Sequence, residues 1–218
     1  MSDVAETVLG PVRGEYLGLT LPHEHLVLDG SAIFSDPAVS SERGMARAPL
    51  GWSTLSWLRY HPYESIENVM MVDEAEAEAE LALFRNAGGG TLVDVTVPGI
   101  GRDPEALVRL SRATGVHIVM GTGLYVEHSL PAKYRDMTVE QMAAMFISDL
   151  RVGVGQSGIK AGIIGEIGCN WPVAPTELKA VRAAALAQRE TGASISVHPG
   201  RNREAPFHLV RVLREMGA

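Results

Sequence analysis

The feature that most limits how this chain can fold is the regular alternation of short apolar runs with capped helical stretches. The runs at 91–97, 116–120, 159–168 and 194–198 are rich in Val, Ile and Gly and do not alternate apolar with polar. That is the pattern of parallel strands covered on both faces. Helix signals lie between them. A Glu-Ala repeat spans 73–87, with Leu81 and Phe84 on the inward side and Gly88 as the stop. Asp103 and Pro104 open a second helix that reaches Thr114 and halts at Gly115. Thr138-Val139-Glu140-Gln141 has the form of a capping box and starts a third helix, to about Val152. Thr176 is expected to cap a fourth over 177–190, closed near Gly192, and 205–216 forms a fifth before Gly217.

Ahead of these units, 7–12 and 16–19 read as two short strands around a turn at 13–15. The second strand runs into Leu19-Thr20-Leu21-Pro22-His23-Glu24-His25-Leu26. On a strand, residues two apart share a face, so His23 and His25 point the same way, one pleat apart. Two imidazoles on one face at a strand end form a ready pair of metal ligands. On a helix they would diverge.

This makes five β-α units. No glycine-rich phosphate loop follows the first strand; the His pair stands there instead. The fold expected is therefore α/β of the (β/α)8 TIM-barrel type, incomplete, with about five units, as one domain over 1–218. Functional residues of such barrels sit at the C-terminal strand ends. His23 and His25 end strand one, Glu166 ends strand four and His198 ends strand five. Three imidazoles and a carboxylate at the same end of their strands would converge on one cavity, a zinc or manganese site. Arg201 sits where an anionic part of a substrate would be held, and Tyr125 past strand three reaches the same mouth. His61, His117, His128 and His208 read as structural or solvated, Asp94 as a hydrogen-bonded mid-strand acid and Cys169 as a small apolar filler. Residues 29–72 lack clean periodicity but carry Phe34, Trp52, Trp57, Tyr60 and Tyr63. They are expected to form an irregular insertion covering the barrel mouth, with helix near 52–60, or else a packed subdomain with no catalytic part.

Net charge is −7 and there is no run of Lys or Arg, which argues against nucleic-acid and anionic-membrane partners. The amino terminus is acidic and lacks signal-peptide order, and no apolar stretch approaches a bilayer-spanning length. A lone cysteine precludes an internal disulfide and suits a reducing compartment, by default the cytoplasm. A small-molecule substrate is the partner expected, with a homo-oligomer as a possible state.

The segments 21–26, 88–91, 121–125, 159–169 and 197–201 together resemble the phosphotriesterase family of the amidohydrolase superfamily, most of all its phosphotriesterase-related branch. The resemblance spans the chain in order. It implies a (β/α)8 barrel holding two metal ions, usually zinc, that activate water for hydrolysis. His23 and His25 match ligands of the first metal, Glu166 the bridging carboxylate and His198 a ligand of the second. Where many members bridge with a carboxylated lysine, this chain has Glu166. The strand-six histidine and the proton-handling strand-eight aspartate of the family have no counterpart in these 218 residues. The chain therefore reads as the N-terminal five-eighths of a metal-dependent hydrolase, inactive alone. The branch implies amide substrates of the N-acyl amino sulfonate or amino acid type, with esters, lactones and phosphotriesters as runners-up. The alternative is a non-catalytic metal-binding fragment.

Overall fold

The computed structural model describes residues 3–218; Met1 and Ser2, the start of the acidic terminus, lie outside it. The first strands differ from the expectation. β1 (Val4–Thr7) and β2 (Gly10–Arg13) form an antiparallel hairpin whose turn is Val8-Leu9, and residues 14–16 make a 3-10 turn rather than joining two strands. Gly10 explains the shift: its φ of 109° closes the hairpin in a conformation that other residues rarely adopt. β3 (Leu19–Glu24) then carries His23, and His25 follows its last residue. Residues 29–72 are less irregular than their sequence suggests. They hold a two-stranded ladder, β4 (Leu28–Asp29) with β5 (Met70–Met71), and the short helix α1 (Trp52–Leu58).

From there the alternation is regular: α2 (Glu74–Asn86), β6 (Gly89–Asp94), α3 (Pro104–Thr114), β7 (His117–Thr122), α4 (Ala132–Arg135), α5 (Val139–Arg151), β8 (Ile163–Gly168), α6 (Pro175–Thr191), β9 (Ile195–His198) and α7 (Ala205–Glu215). The caps explain several boundaries. Asp73 accepts from the Ala75 and Glu76 amides, Asp103 from Ala106, and Thr138 from Gln141, each satisfying donors that the first helical turn leaves unpaired. Gly115 and Gly192 stop their helices in the left-handed region. Thr176 is not the cap of α6. Ala174 holds that position, and the Glu177 carboxylate reaches back to accept its amide.

The five long strands form one parallel sheet in the order β3-β6-β7-β8-β9, the arc of a barrel. Both faces are covered in the middle strands. Leu92, Ile118 and Met120 pack outward against α2 and α3, while Val93, Val95 and Val119 meet on the inner face. This is why β6 and β7 read as continuous apolar runs. A second helix-side core joins β8 and β9 to α5, α6 and α7 through Phe146, Ile164, Ile167, Val181 and Leu209. An alanine stripe on α6, with Ala180, Ala183, Ala184 and Ala187 buried, lets it pack closely in that core. Among the described residues no helix is long and apolar enough to cross a membrane.

Candidate functional site

Glu166 lies at the centre of the site because β8 breaks its own parity. Ile164 and Ile167 are three apart yet both face the helices, and the β8–β9 register shifts between them. An inserted residue of this kind turns a side chain to the opposite face. Here it sends Glu166 inward, 1% exposed. Gly121 of β7 serves the same crossing, since a Cβ there would collide with the Gly165 carbonyl oxygen and press on Val95. β3 has its own irregularity between Leu21 and Glu24, next to Pro22, and both histidines that follow reach the same carboxylate.

The four strand-end residues singled out in the sequence do converge. His23 Nε2 lies 3.2 Å and His198 Nδ1 3.0 Å from Glu166 Oε2, and His25 Nε2 lies 3.3 Å from Oε1. Ligand atoms of His23, Glu166 and His198 all sit within 4.8 Å of one another. The His25 approach lacks hydrogen-bond alignment, so the buried Oε1 has no hydrogen-bond partner. Burial alone would raise the Glu166 pKa. Hydrogen bonding to His198, with the contact and charge of His25, outweighs it and holds the carboxyl down at about 2. For His25 burial favours the neutral ring, but Glu166, with Asp94 and Glu24 behind it, prevails and raises the pKa.

Supporting groups that the sequence did not single out fix these rings. Thr96 Oγ1 is 2.9 Å from His25 Nδ1, and Ser196 Oγ is 3.5 Å from His23 Nδ1. Asp94 is fully buried at the end of β6 rather than mid-strand. It accepts from the Leu26 and Thr96 amides and so pins the backbone just after His25. Strand parity pointed to Thr96, because residues 94 and 96 share a face if the strand runs to 97.

A cavity of about 330 Å³ opens beside His198, walled by Ile33, Tyr63, Tyr125, His128, Trp171 and Arg201 among others. Tyr125 meets the His198 ring edge to face at 5.6 Å. Burial, then the nearby Glu166 charge, raises its pKa, so the phenol stays a donor. His128 is exposed, as expected of a solvated residue, and also lines this cavity, because the loop after β7 folds back over the mouth. Tyr63 comes from the 29–72 insertion expected to cover the mouth, whereas Trp171 was not singled out as a wall residue. His61 stacks on Trp57 and hydrogen-bonds Glu64, and His208 meets Trp171 edge-on, so both pack where the sequence left them.

Cys169 also touches the cavity but is 2% exposed. Burial first, then the Glu177 charge, pushes its thiol up to about 12 from an ordinary 9.0. With the folded value raised, its contribution to stability is complete below pH 9 and is lost as pH rises through 12. The folded protein is expected to carry far less thiolate at pH 8 than the unfolded chain. Modification by a thiol reagent should therefore track unfolding; rapid labelling of the native state would contradict this.

Comparisons agree with this architecture. The sequence model of the phosphotriesterase family matches residues 3–218. An N-acetyltaurine hydrolase of Xenopus tropicalis is 40% identical over 219 residues, covering 100% of this chain and 62% of that protein. A phosphotriesterase-related protein of Nematostella vectensis is 41% identical, covering 99% and 63%. The crystal structure of a resiniferatoxin-binding protein from Rhodobacter sphaeroides superposes with a TM-score of 0.95 at 36% identity, over 100% of this chain and 61% of that one. The chain thus spans a little over three fifths of the length of these relatives. It forms an arc of their barrel, and it belongs to the phosphotriesterase family.

Proposed function

We propose that this chain is the metal-holding part of a metal-dependent hydrolase, with His23, His25, Glu166 and His198 as ligands of a divalent site, zinc in two positions when the site is complete. The observation that carries this reading is the buried Glu166 Oε1, which lacks a hydrogen-bond partner amid three imidazoles. An unpartnered buried carboxylate oxygen is costly. A borderline cation that takes nitrogen and oxygen donors fits it. Bound metal would supply Lewis acidity, polarising a scissile carbonyl and lowering the pKa of water.

The remaining chemistry falls to the chain. Thr96 and Asp94 orient His25, the aromatic walls limit water, and Tyr125 donates from its protonated phenol. Arg201 pairs with an anionic group. In amide hydrolysis water adds to the carbonyl carbon, the C–N bond breaks, and the departing amine takes a proton. Relatives named N-acetyltaurine hydrolase support an N-acyl amino sulfonate or a similar anionic amide as substrate. Esters, lactones and phosphotriesters stand behind it. Residues 29–72, placing Ile33 and Tyr63 in the wall, act as a cover for the mouth. We place the protein in the cytoplasm on its single unpaired cysteine.

A second reading, a metal-binding segment without turnover, is favoured by one feature: no Asp or Glu lines the cavity among the described residues to handle the proton. Metal analysis after zinc loading and dialysis separates the two. Two ions per chain support the hydrolase site and one supports the segment. None would sink the metal reading altogether.

A further inference from the structure

The cavity wall has a charge pattern of its own. In a chain of net charge −7, the lining holds Arg201, His128 and His198 and, among the described residues, no carboxylate. Arg201 follows β9 by three residues and is exposed, so nothing on its own element holds the guanidinium still. Its partner comes from 138 residues away. Arg201 Nη2 donates to Tyr63 Oη at 2.7 Å, and the guanidinium also lies over the Tyr63 ring, 5.1 Å from its centre. Tyr63 is itself tied down, because its carbonyl accepts the Ser35 amide at 2.9 Å.

A free arginine at a cavity mouth samples many rotamers and loses that freedom on binding an anion. A hydrogen bond to the edge of the guanidinium together with a ring beneath its face settles most of that cost before binding. The other N–H groups of the guanidinium fork remain available to two oxygens of one anionic group.

We propose that Tyr63 is a positioning residue that presets Arg201 as the anchor for the anionic tail of the substrate, so that the segment 29–72 sets selectivity for anion-tailed amides. This rests on the hydrolase reading for the word substrate, but the anchor itself needs no metal. Arg201 and His198 line the same cavity, so the ligand expected carries a carboxylate or sulfonate in the same molecule as its amide.

The test compares two probes that differ only at the tail, N-acetyltaurine and neutral N-ethylacetamide. Each is titrated into the full chain by ligand-observed NMR, with and without zinc. The wild type is expected to bind the anionic probe at least about tenfold more tightly, roughly the effect of one charge-assisted hydrogen bond. Tyr63→Phe keeps the ring beside the guanidinium but removes the hydroxyl, and should cut that ratio about threefold. Arg201→Gln should abolish the ratio, and adding Tyr63→Phe to it should do nothing more. Equal binding of the two probes by the wild type overturns the proposal. So does an unchanged ratio in Tyr63→Phe, or additive effects in the double variant. A purely structural Tyr63 would weaken both probes together, which also counts against it. Zinc content measured on the same samples reports separately on the hydrolase reading, so its failure cannot be mistaken for failure of the anchor.

Discussion

Glu166→Gln is expected to lose zinc affinity by more than the roughly 10–100-fold typical of groups behind a metal ligand, because here a proposed ligand itself loses its charge. The substitution keeps the volume and one acceptor oxygen and removes the charge, so the metal-free protein should still fold. Its pH profile should change. In the wild type the Glu166 pKa is depressed from 4.5, so that contribution is present above pH 4.5 and lost as pH falls toward 2. The His25 pKa is raised from 6.5, so its contribution is complete below pH 6.5 and lost as pH climbs through the folded value. The shifts share the Glu166–His25 contact, with His198 contributing most to the Glu166 side, so metal-free stability from this source should be greatest between pH 4.5 and 6.5. In Glu166→Gln that maximum should flatten and the His25 titration should move down. Zinc should reverse the trend in the wild type, since metal and protons compete for the same nitrogens. Calorimetric zinc titration and thermal melts across this range are the measurements. Undiminished zinc affinity in the glutamine variant would remove Glu166 from the site.

Glu177→Ala should be the most destabilising single change near the cavity. The Glu177 carboxylate is 1% exposed and accepts four hydrogen bonds: from the Glu127 amide, the Asn170 amide, the Asn170 side chain and the Ala174 amide, at 2.7–3.0 Å. One side chain therefore ties the loop after β7, the loop after β8 and the start of α6. Removing it takes the acceptor from three backbone donors in half-buried or exposed segments, each worth at most about 1–3 kcal/mol. Against this stands the desolvation that the buried charge no longer suffers. We expect a net loss of about 3 kcal/mol, the sum of several hydrogen bonds to a charged acceptor that water only partly replaces. For a chain of this size that is a fall in Tm on the order of 10 °C. Glu177→Gln, which retains one acceptor, should fall between. Denaturant unfolding checks both, and a loss below about 1 kcal/mol for the alanine variant would mean that water replaces the carboxylate.

How much of this was legible beforehand follows from the range of the interactions concerned. The α3 boundaries were readable because Asp103, Pro104 and Gly115 act on amides within one turn. Strand ends were less so: β6 ends at Asp94, short of the apolar run to 97, and β8 begins at Ile163, well inside 159–168. Apolar character continues past a strand wherever both sides stay buried, so hydrophobicity marks burial there and not pairing. The turn at 13–15 was misplaced because Gly14 looked like the punctuating residue, while Gly10 has the positive φ.

The sequence by itself determined the order of units and the four strand-end groups, His23, His25, Glu166 and His198, because periodicity and parity are properties of a few neighbouring residues. Only the tertiary structure decided the walls. Tyr63 meets Arg201 across 138 residues, exposed His128 reaches the cavity rim, and Glu177 is a hub and not merely the start of a helix. Those contacts depend on how loops return over the sheet, and long-range closure of that kind leaves no mark in local composition.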